Sequence, residues 1–76
     1  MKIKAEHFNL LKRRCQDVLA DNPDAWSEYE AAGLSHQRFR WDVLRAAGLM
    51  KWVCDELYLY LDDAHIDTAL RAAIKL

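Results

Sequence analysis

Apolar residues recur at helical spacing along the whole chain, and few residues interrupt that pattern. The 76 residues include only two glycines and one proline, which are too few for the many tight turns of a β-sandwich. Each of these three residues lies between two apolar stretches, so together they divide the chain into short helical segments. The pattern predicts an all-α fold, a compact bundle of four to five short helices that forms one domain over residues 1–76.

Residues at the segment ends predict where the helices begin and end. Asn22 and Ser35 are predicted N-caps, because their short polar side chains can accept hydrogen bonds from free backbone N–H groups. Gly33 and Gly48 are predicted to end the second and third helices, because glycine adopts the left-handed conformation without a Cβ clash. The predicted helices cover residues 5–20, 23–32, 36–47, 50–61 and 64–75.

The fourth segment, residues 50–61, is apolar almost all round, with Lys51, Asp55 and Glu56 as its only charged residues. A helix with so little polar surface lies at the centre of a fold or at an interface. A domain of this size buries only about 60% of its unfolded surface, so part of the aromatic area is expected to be exposed. Exposed apolar patches usually mark a partner, and the simplest partner is a second copy. We therefore expect a homodimer.

The sequence carries none of the common enzyme motifs. It has no glycine-rich phosphate loop, no G-x-S-x-G nucleophile and no H-E-x-x-H zinc motif. Cys15 and Cys54 lie too far apart in the sequence for a metal knuckle, and both are expected to be small buried side chains in a reducing cytosol. We therefore expect no catalytic residues, no cofactor and no enzymatic activity.

One acidic cluster has the residue types of a divalent-cation site. Asp62, Asp63, His65 and Asp67 lie within six residues of one another, and carboxylates with an imidazole can ligate such an ion. Capping of the last helix by Asp62 or Asp63, together with compensation of its dipole, explains the three aspartates without a metal. We therefore predict no metal site.

The charge pattern argues against nucleic acid as the main partner. The net charge is −1, so the chain has no overall basic excess to hold a phosphate backbone. Basic blocks at 1–20 and 35–51 alternate with acidic blocks at 21–34 and 52–70. Such alternation is typical of helices that attract one another, or of a surface with a basic and an acidic face that steers a charged partner.

A helix-turn-helix unit is the alternative interpretation. Segments 23–32 and 36–47 have suitable lengths, and Gly33 lies in the turn between them. The second of these helices would display Arg38 and Arg40 to DNA. The first, however, is acidic where a helix that faces the DNA backbone should be neutral or basic.

Three motifs in residues 38–70 carry a resemblance: RFRWDVL at 38–44, WVCDELY at 52–58 and DDAHIDTAL at 62–70. Together they resemble small bacteriophage and prophage-encoded proteins of uncharacterised function. The resemblance covers about half the chain and implies no catalytic residues. It implies a short accessory gene product of a bacterial virus, a class that often binds and redirects host or phage proteins. Within this stretch Asp63 is the predicted cap of the last helix, and His65 and Asp67 are the residues that packing explains least well.

The sequence thus predicts a non-enzymatic phage-type accessory protein that binds and modulates a host or phage protein through a helical, aromatic and charged surface. The start of the chain does not resemble a signal peptide, and no run of about 18 uncharged apolar residues is present. We therefore expect no membrane association and a location in the bacterial cytoplasm. The predicted partner-binding residues are Arg38, Arg40, Trp41, Arg45, Trp52, Tyr58, Tyr60, His65 and Asp67.

Overall fold

The computed structural model describes residues 3–75 and confirms the all-α fold. Within these residues the chain forms five α-helices and no β-strand, and a short 3-10 helix follows the fourth α-helix directly. The elements are α1 (Ala5–Asp21), α2 (Ala25–Ala31), α3 (His36–Ala46), α4 (Met50–Glu56), the 3-10 helix (Leu57–Leu59) and α5 (Asp63–Ala73).

The N-cap of α3 is confirmed, whereas the predicted N-cap of α2 is wrong. Ser35 Oγ accepts a hydrogen bond of 3.1 Å from the backbone N–H of Arg38, as expected for a capping serine. The side chain of Asn22 instead donates to the carbonyl of Val18 at 2.9 Å, so it satisfies the end of α1. As a result α2 begins only at Ala25, two residues later than predicted.

Both glycines end their helices as predicted. Gly33 and Gly48 have φ values of +74° and +73°. At the end of α3, the N–H of Leu49 donates to the carbonyl of Leu44 at 3.3 Å and the N–H of Gly48 donates to that of Arg45 at 3.0 Å. This pair of bonds is the Schellman motif, and the same pair closes α2.

The predicted helix over 50–61 is too long. The α-helix ends at Glu56 and tightens into the 3-10 helix, after which the buried Leu61 leads into the start of α5. The tyrosine just before it, Tyr60, reaches back to α1, where its hydroxyl oxygen lies 2.8 Å from His7 Nδ1. These contacts with other helices end α4 early. The last helix also ends before its predicted limit, at Ala73.

The core lies where α1, α3 and α5 pack against one another. Of the two free cysteines, Cys15 is buried as expected, and burial raises the pKa of its thiol to about 11. The expectation that Cys54 is buried is wrong, because Cys54 lies on the outer side of α4, one residue after the buried Val53. No helix within residues 3–75 is long and apolar enough to cross a membrane. The buried apolar residues are Leu11, Cys15, Phe39, Val43, Leu44, Leu49, Val53, Leu57, Leu61, Ile66, Ala69, Leu70, Ala73 and Ile74.

Replacement of Gly48 by alanine tests how α3 ends. A Cβ atom at Gly48 would meet no other atom within 4 Å, so the cost is that of the left-handed backbone alone. We expect Gly48→Ala to lower the free energy of unfolding by about 1 kcal/mol, and Gly48→Asn to lower it less, because asparagine tolerates this conformation better. Urea denaturation measures both. Equal stability of Gly48→Ala and the wild type would contradict the assignment of Gly48 as the left-handed residue that ends α3.

Candidate functional site

The nine predicted partner-binding residues do not form one site. Arg40 and Asp67 lie inside the contact between α3 and α5. Arg38 and Arg45 lie on the outer side of α3, and Trp41 packs half-buried against the core. The other four lie elsewhere: Trp52 and Tyr60 near the start of α1, and Tyr58 and His65 around the start of α5.

Arg40 is buried, so the prediction that α3 displays it at the surface is wrong. Its exposed fraction is 6%. One guanidinium nitrogen, Nη2, lies 3.5 Å from Asp67 Oδ1 on α5. The other carboxylate oxygen of Asp67 lies 3.7 Å from Arg71 Nη2, which is near the surface. Arg40 is turned inward because Asp67, also largely buried, supplies a negative charge at the same depth.

The geometry of this buried pair is incomplete. Arg40 Nε and Asp67 Oδ1 have no hydrogen-bond partner within residues 3–75. Two charges removed from water lose their hydration, and the attraction between them offsets that loss only when hydrogen bonds satisfy the remaining donors and acceptors. The pair joins α3 to α5, and because both side chains are largely buried, neither is available to a partner.

Asp42 organises the outer side of α3. Its carboxylate accepts hydrogen bonds from the hydroxyl of Tyr29 at 2.7 Å and from Arg45 Nη1 at 3.0 Å. Arg38 Nε lies 3.8 Å from the same carboxylate. The hydrogen bond from Tyr29 to Asp42 raises the pKa of that tyrosine. Both exposed arginines of α3 thus share a single carboxylate.

An open groove of about 190 Å³ lies beside this network, between the end of α1, α2 and α3. Val18, Leu19, Phe39 and Val43 give it apolar walls, and Asp42 contributes its polar side. Asp42 is the charged residue among those that line this groove.

An aromatic cluster joins the start of α1 to Trp52 on α4 and to Tyr60, the residue after the 3-10 helix, and the sequence did not reveal it as a unit. The rings of His7 and Trp52 meet edge to face, with centroids 5.5 Å apart. His7 Nδ1 contacts the hydroxyl of Tyr60, and Lys4 Nζ lies 5.6 Å from the centre of the same ring. Trp52 and Tyr60 are therefore partly used in holding the fold together. One sequence feature could have indicated that His7 faces the fold: it lies four residues before the buried Leu11, on the same helix face.

The chain between α4 and α5 exposes apolar side chains within an acidic segment. We call residues 55–63 the acidic turn: the 3-10 helix with Asp55 and Glu56 before it and Asp62 and Asp63 after it. Leu59 is 77% exposed and Tyr58 is 39% exposed, and these are the exposed large apolar side chains within residues 3–75. Tyr58 was among the predicted residues. Leu59 was not, although helical spacing places it on the opposite face from Leu57 and Leu61, which lie four residues apart.

The N-cap of α5 is Asp62 and not the predicted Asp63. Asp62 Oδ1 accepts a 2.9 Å hydrogen bond from the backbone N–H of His65 and lies 2.6 Å from His65 Nδ1. The hydrogen bond from the His65 backbone, followed by the one from its ring, lowers the pKa of Asp62. Asp63 instead accepts a hydrogen bond from the hydroxyl of Tyr58.

These contacts separate the residues of the candidate cation site, which are Asp62, Asp63, His65 and Asp67. His65 faces the cap, whereas Asp67 faces Arg40 in the interior. Residues 3–75 contain no group of three or more histidine, cysteine, aspartate or glutamate side chains with the geometry to hold a metal ion.

Comparisons with protein-family models, with curated proteins and with solved structures found no match.

Removal of Asp67 tests the buried pair. Asp67→Ala leaves the Arg40 guanidinium buried without a carboxylate, and we expect it to lower the free energy of unfolding by about 3–5 kcal/mol. Asp55→Ala is the matched control, because it breaks the exposed Lys51 pair and should cost less than about 1 kcal/mol. The apolar double variant Arg40→Met with Asp67→Leu should recover the loss. Chemical denaturation measures the free energy of unfolding of the wild type and the three variants. Equal losses of stability in Asp67→Ala and Asp55→Ala would show that Asp67 does not compensate a buried charge.

The contact between Tyr58 and Asp63 predicts a tyrosine that ionises late. The hydrogen bond to Asp63 raises the pKa of Tyr58 to about 12 from its usual 10.0, so this contact stabilises the fold below pH 10 and is lost as pH rises toward 12. In Asp63→Asn we expect the Tyr58 pKa to fall toward its usual value, because the negative acceptor is gone. Ultraviolet absorbance of tyrosinate follows the titration, with Tyr58→Phe identifying the signal. An unchanged titration curve in Asp63→Asn would show that the two side chains do not interact.

Proposed function

We propose that this chain is a small non-enzymatic protein that binds and modulates another protein, and that the acidic turn is its contact surface. The single observation that carries this proposal is the exposure of Leu59, next to Tyr58, between flanking acids. The resemblance of residues 38–70 to phage and prophage proteins supports a host or phage protein in the bacterial cytoplasm as the partner.

Leu59 is held in place rather than left on a loose loop. Leu59 ends the 3-10 helix, which begins at the buried Leu57, and the buried Leu61 follows two residues later. Full burial of a leucine side chain stabilises by about 1.5–3 kcal/mol relative to its exposure. A single exposed leucine is common on protein surfaces, but here an exposed tyrosine adjoins it. An anchored apolar side chain within a charged border resembles the centre of a protein–protein contact.

The helix-turn-helix alternative has less support. Of the three arginines of α3, Arg40 is buried, and Arg38 and Arg45 share the carboxylate of Asp42. His36, at the start of the helix that would read DNA, stacks on Trp26 with ring centroids 4.2 Å apart. This surface offers little net positive charge to a phosphate backbone, which is the main source of affinity for DNA.

The homodimer expected from the apolar segment 50–61 stays a prediction. Most of its large side chains are buried or half-buried within one chain, and only Tyr58 and Leu59 are exposed. In a two-fold dimer the acidic turn would face its own copy, and the like charges of the two turns would repel each other. We therefore assign the patch to a different protein, and sedimentation at micromolar concentration tests self-association directly.

Capture from a nuclease-treated bacterial lysate tests the proposed function. We expect the wild type to retain a protein that Leu59→Ser fails to retain, because the serine removes the apolar anchor. Ala20→Ser is the matched control, since Ala20 is exposed near the far end of α1 from the His7–Tyr60 contact, about 20 Å along the helix. Circular dichroism establishes that both variants are folded.

Two outcomes of that experiment contradict the proposal. Retention of the same proteins by the wild type and by Leu59→Ser would show that the acidic turn is not the contact. Retention that disappears with nuclease in the wild type would favour the DNA-binding alternative.

A further inference from the structure

We infer that the acidic turn recognises a basic amphipathic segment of its partner, with apolar side chains that receive Leu59 and with lysines or arginines beside them. This inference rests on the proposed function, because it names the chemistry of the partner at the same surface. It is carried by the acids on either side of Leu59, two of which form no salt bridge with a lysine or arginine of residues 3–75.

The stretch of chain around Leu59 is acidic, and two lysines from outside it lie nearby: Lys51 pairs with Asp55, and Lys4 lies over the ring of Tyr60. Residues 52–70 include five acidic residues and neither lysine nor arginine. Four of the five acids lie in the acidic turn. The fifth, Asp67, is drawn into the interior by Arg40. The field at the turn is therefore negative, which attracts cationic partners and repels phosphate backbones and anionic membrane surfaces.

Two of the four acids of the turn have a neighbour of opposite or potentially opposite charge. Asp55 Oδ2 lies 2.8 Å from Lys51 Nζ, and Asp62 Oδ1 lies 2.6 Å from His65 Nδ1. Within residues 3–75, no lysine or arginine forms a salt bridge with Glu56 or with Asp63. Asp63 accepts a hydrogen bond from the Tyr58 hydroxyl, which brings no positive charge. Two carboxylates thus remain for cations of a partner.

These two carboxylates flank the apolar anchor in the sequence. Glu56 precedes Leu59 by three residues, and Asp63 follows it by four. The exposed ring of Tyr58 contacts Asp63, which places an aromatic surface beside that carboxylate. A partner segment therefore needs apolar side chains at its centre and cationic groups on either side. An amphipathic helix supplies this pattern, because residues three and four positions apart share a face.

Binding of synthetic peptides tests this chemistry. The probe is an amphipathic peptide of about 15 residues built from leucine and lysine, and the comparison peptides replace lysine with glutamate or leucine with serine. We expect only the leucine–lysine peptide to bind, and its affinity to fall as salt rises from about 50 mM to about 200 mM. Fluorescence anisotropy of labelled peptides measures all three with the full chain.

Variants of the chain locate the binding site. We expect Glu56→Gln with Asp63→Asn to weaken binding of the leucine–lysine peptide about tenfold, and Leu59→Ser to weaken it at least as much. The control double variant, Glu28→Gln with Glu30→Gln, removes the same amount of charge from exposed positions of α2 and should bind like the wild type. Equal weakening in the two double variants would overturn the inference, because it would reduce binding to the net charge of the chain.

The remaining outcomes separate this inference from the proposed function. If lysate capture depends on Leu59 but no basic peptide binds, or the glutamate peptide binds as well, the partner chemistry is wrong and the function stands. If neither capture nor peptide binding depends on Leu59, both are wrong. A dimer in sedimentation that Leu59→Ser dissociates would make a second copy the occupant and overturn the inference.

Discussion

The ion pair between Arg40 and Asp67 joins the two helices on which the other surface features depend. Arg40 on α3 and Asp67 on α5 meet inside the helix contact, 3.5 Å apart. Because each side chain is largely buried, each helix has one rotation about its axis that brings the charges together. That rotation turns Arg38 and Arg45 outward on α3. On α5 it goes with the inward placement of Ile66 and Leu70.

A buried ion pair of this kind contributes more to the choice of packing than to stability. Its geometry leaves one donor and one acceptor without hydrogen bonds, so the cost of desolvation is only partly offset. Most of the stability comes from the apolar core formed by α1, α3 and α5. Other arrangements of the same helices would bury one of the two charges without its partner. The pair therefore favours the observed packing of α3 against α5.

The surface that results differs from a uniform mixture of charges. The exposed arginines of α3, Arg38 and Arg45, share the carboxylate of Asp42, so this side of α3 produces little free positive field. The acidic block behaves differently, because its segment of chain has no lysine or arginine of its own. Leu59, at the end of the short 3-10 helix, is exposed within this acidic segment. An acidic surface with an apolar centre is therefore the most distinctive feature that the molecule offers to a partner.

The sequence by itself determined the helices and most of their ends. Helical spacing, Ser35 at the start of α3 and the two glycines act through bonds within a few residues, so they can be read without knowledge of the rest of the fold. Where a cap had more than one candidate, the local pattern was insufficient, as with Asp62 and Asp63.

Only the tertiary structure decided which side chains face inward at equivalent positions. Arg40 is buried because Asp67, 27 residues later, supplies its counter-charge across a helix contact. Helical spacing places Leu59 opposite Leu57 and Leu61, but which of these two faces packs on the core is decided by the other helices. Both outcomes depend on residues distant in the sequence, and hydrophobic periodicity reports only on neighbours along one helix. The candidate site arises from these long-range contacts, so the sequence predicted Tyr58 as a partner-binding residue but neither the four acids of the turn nor the exposed leucine at its centre.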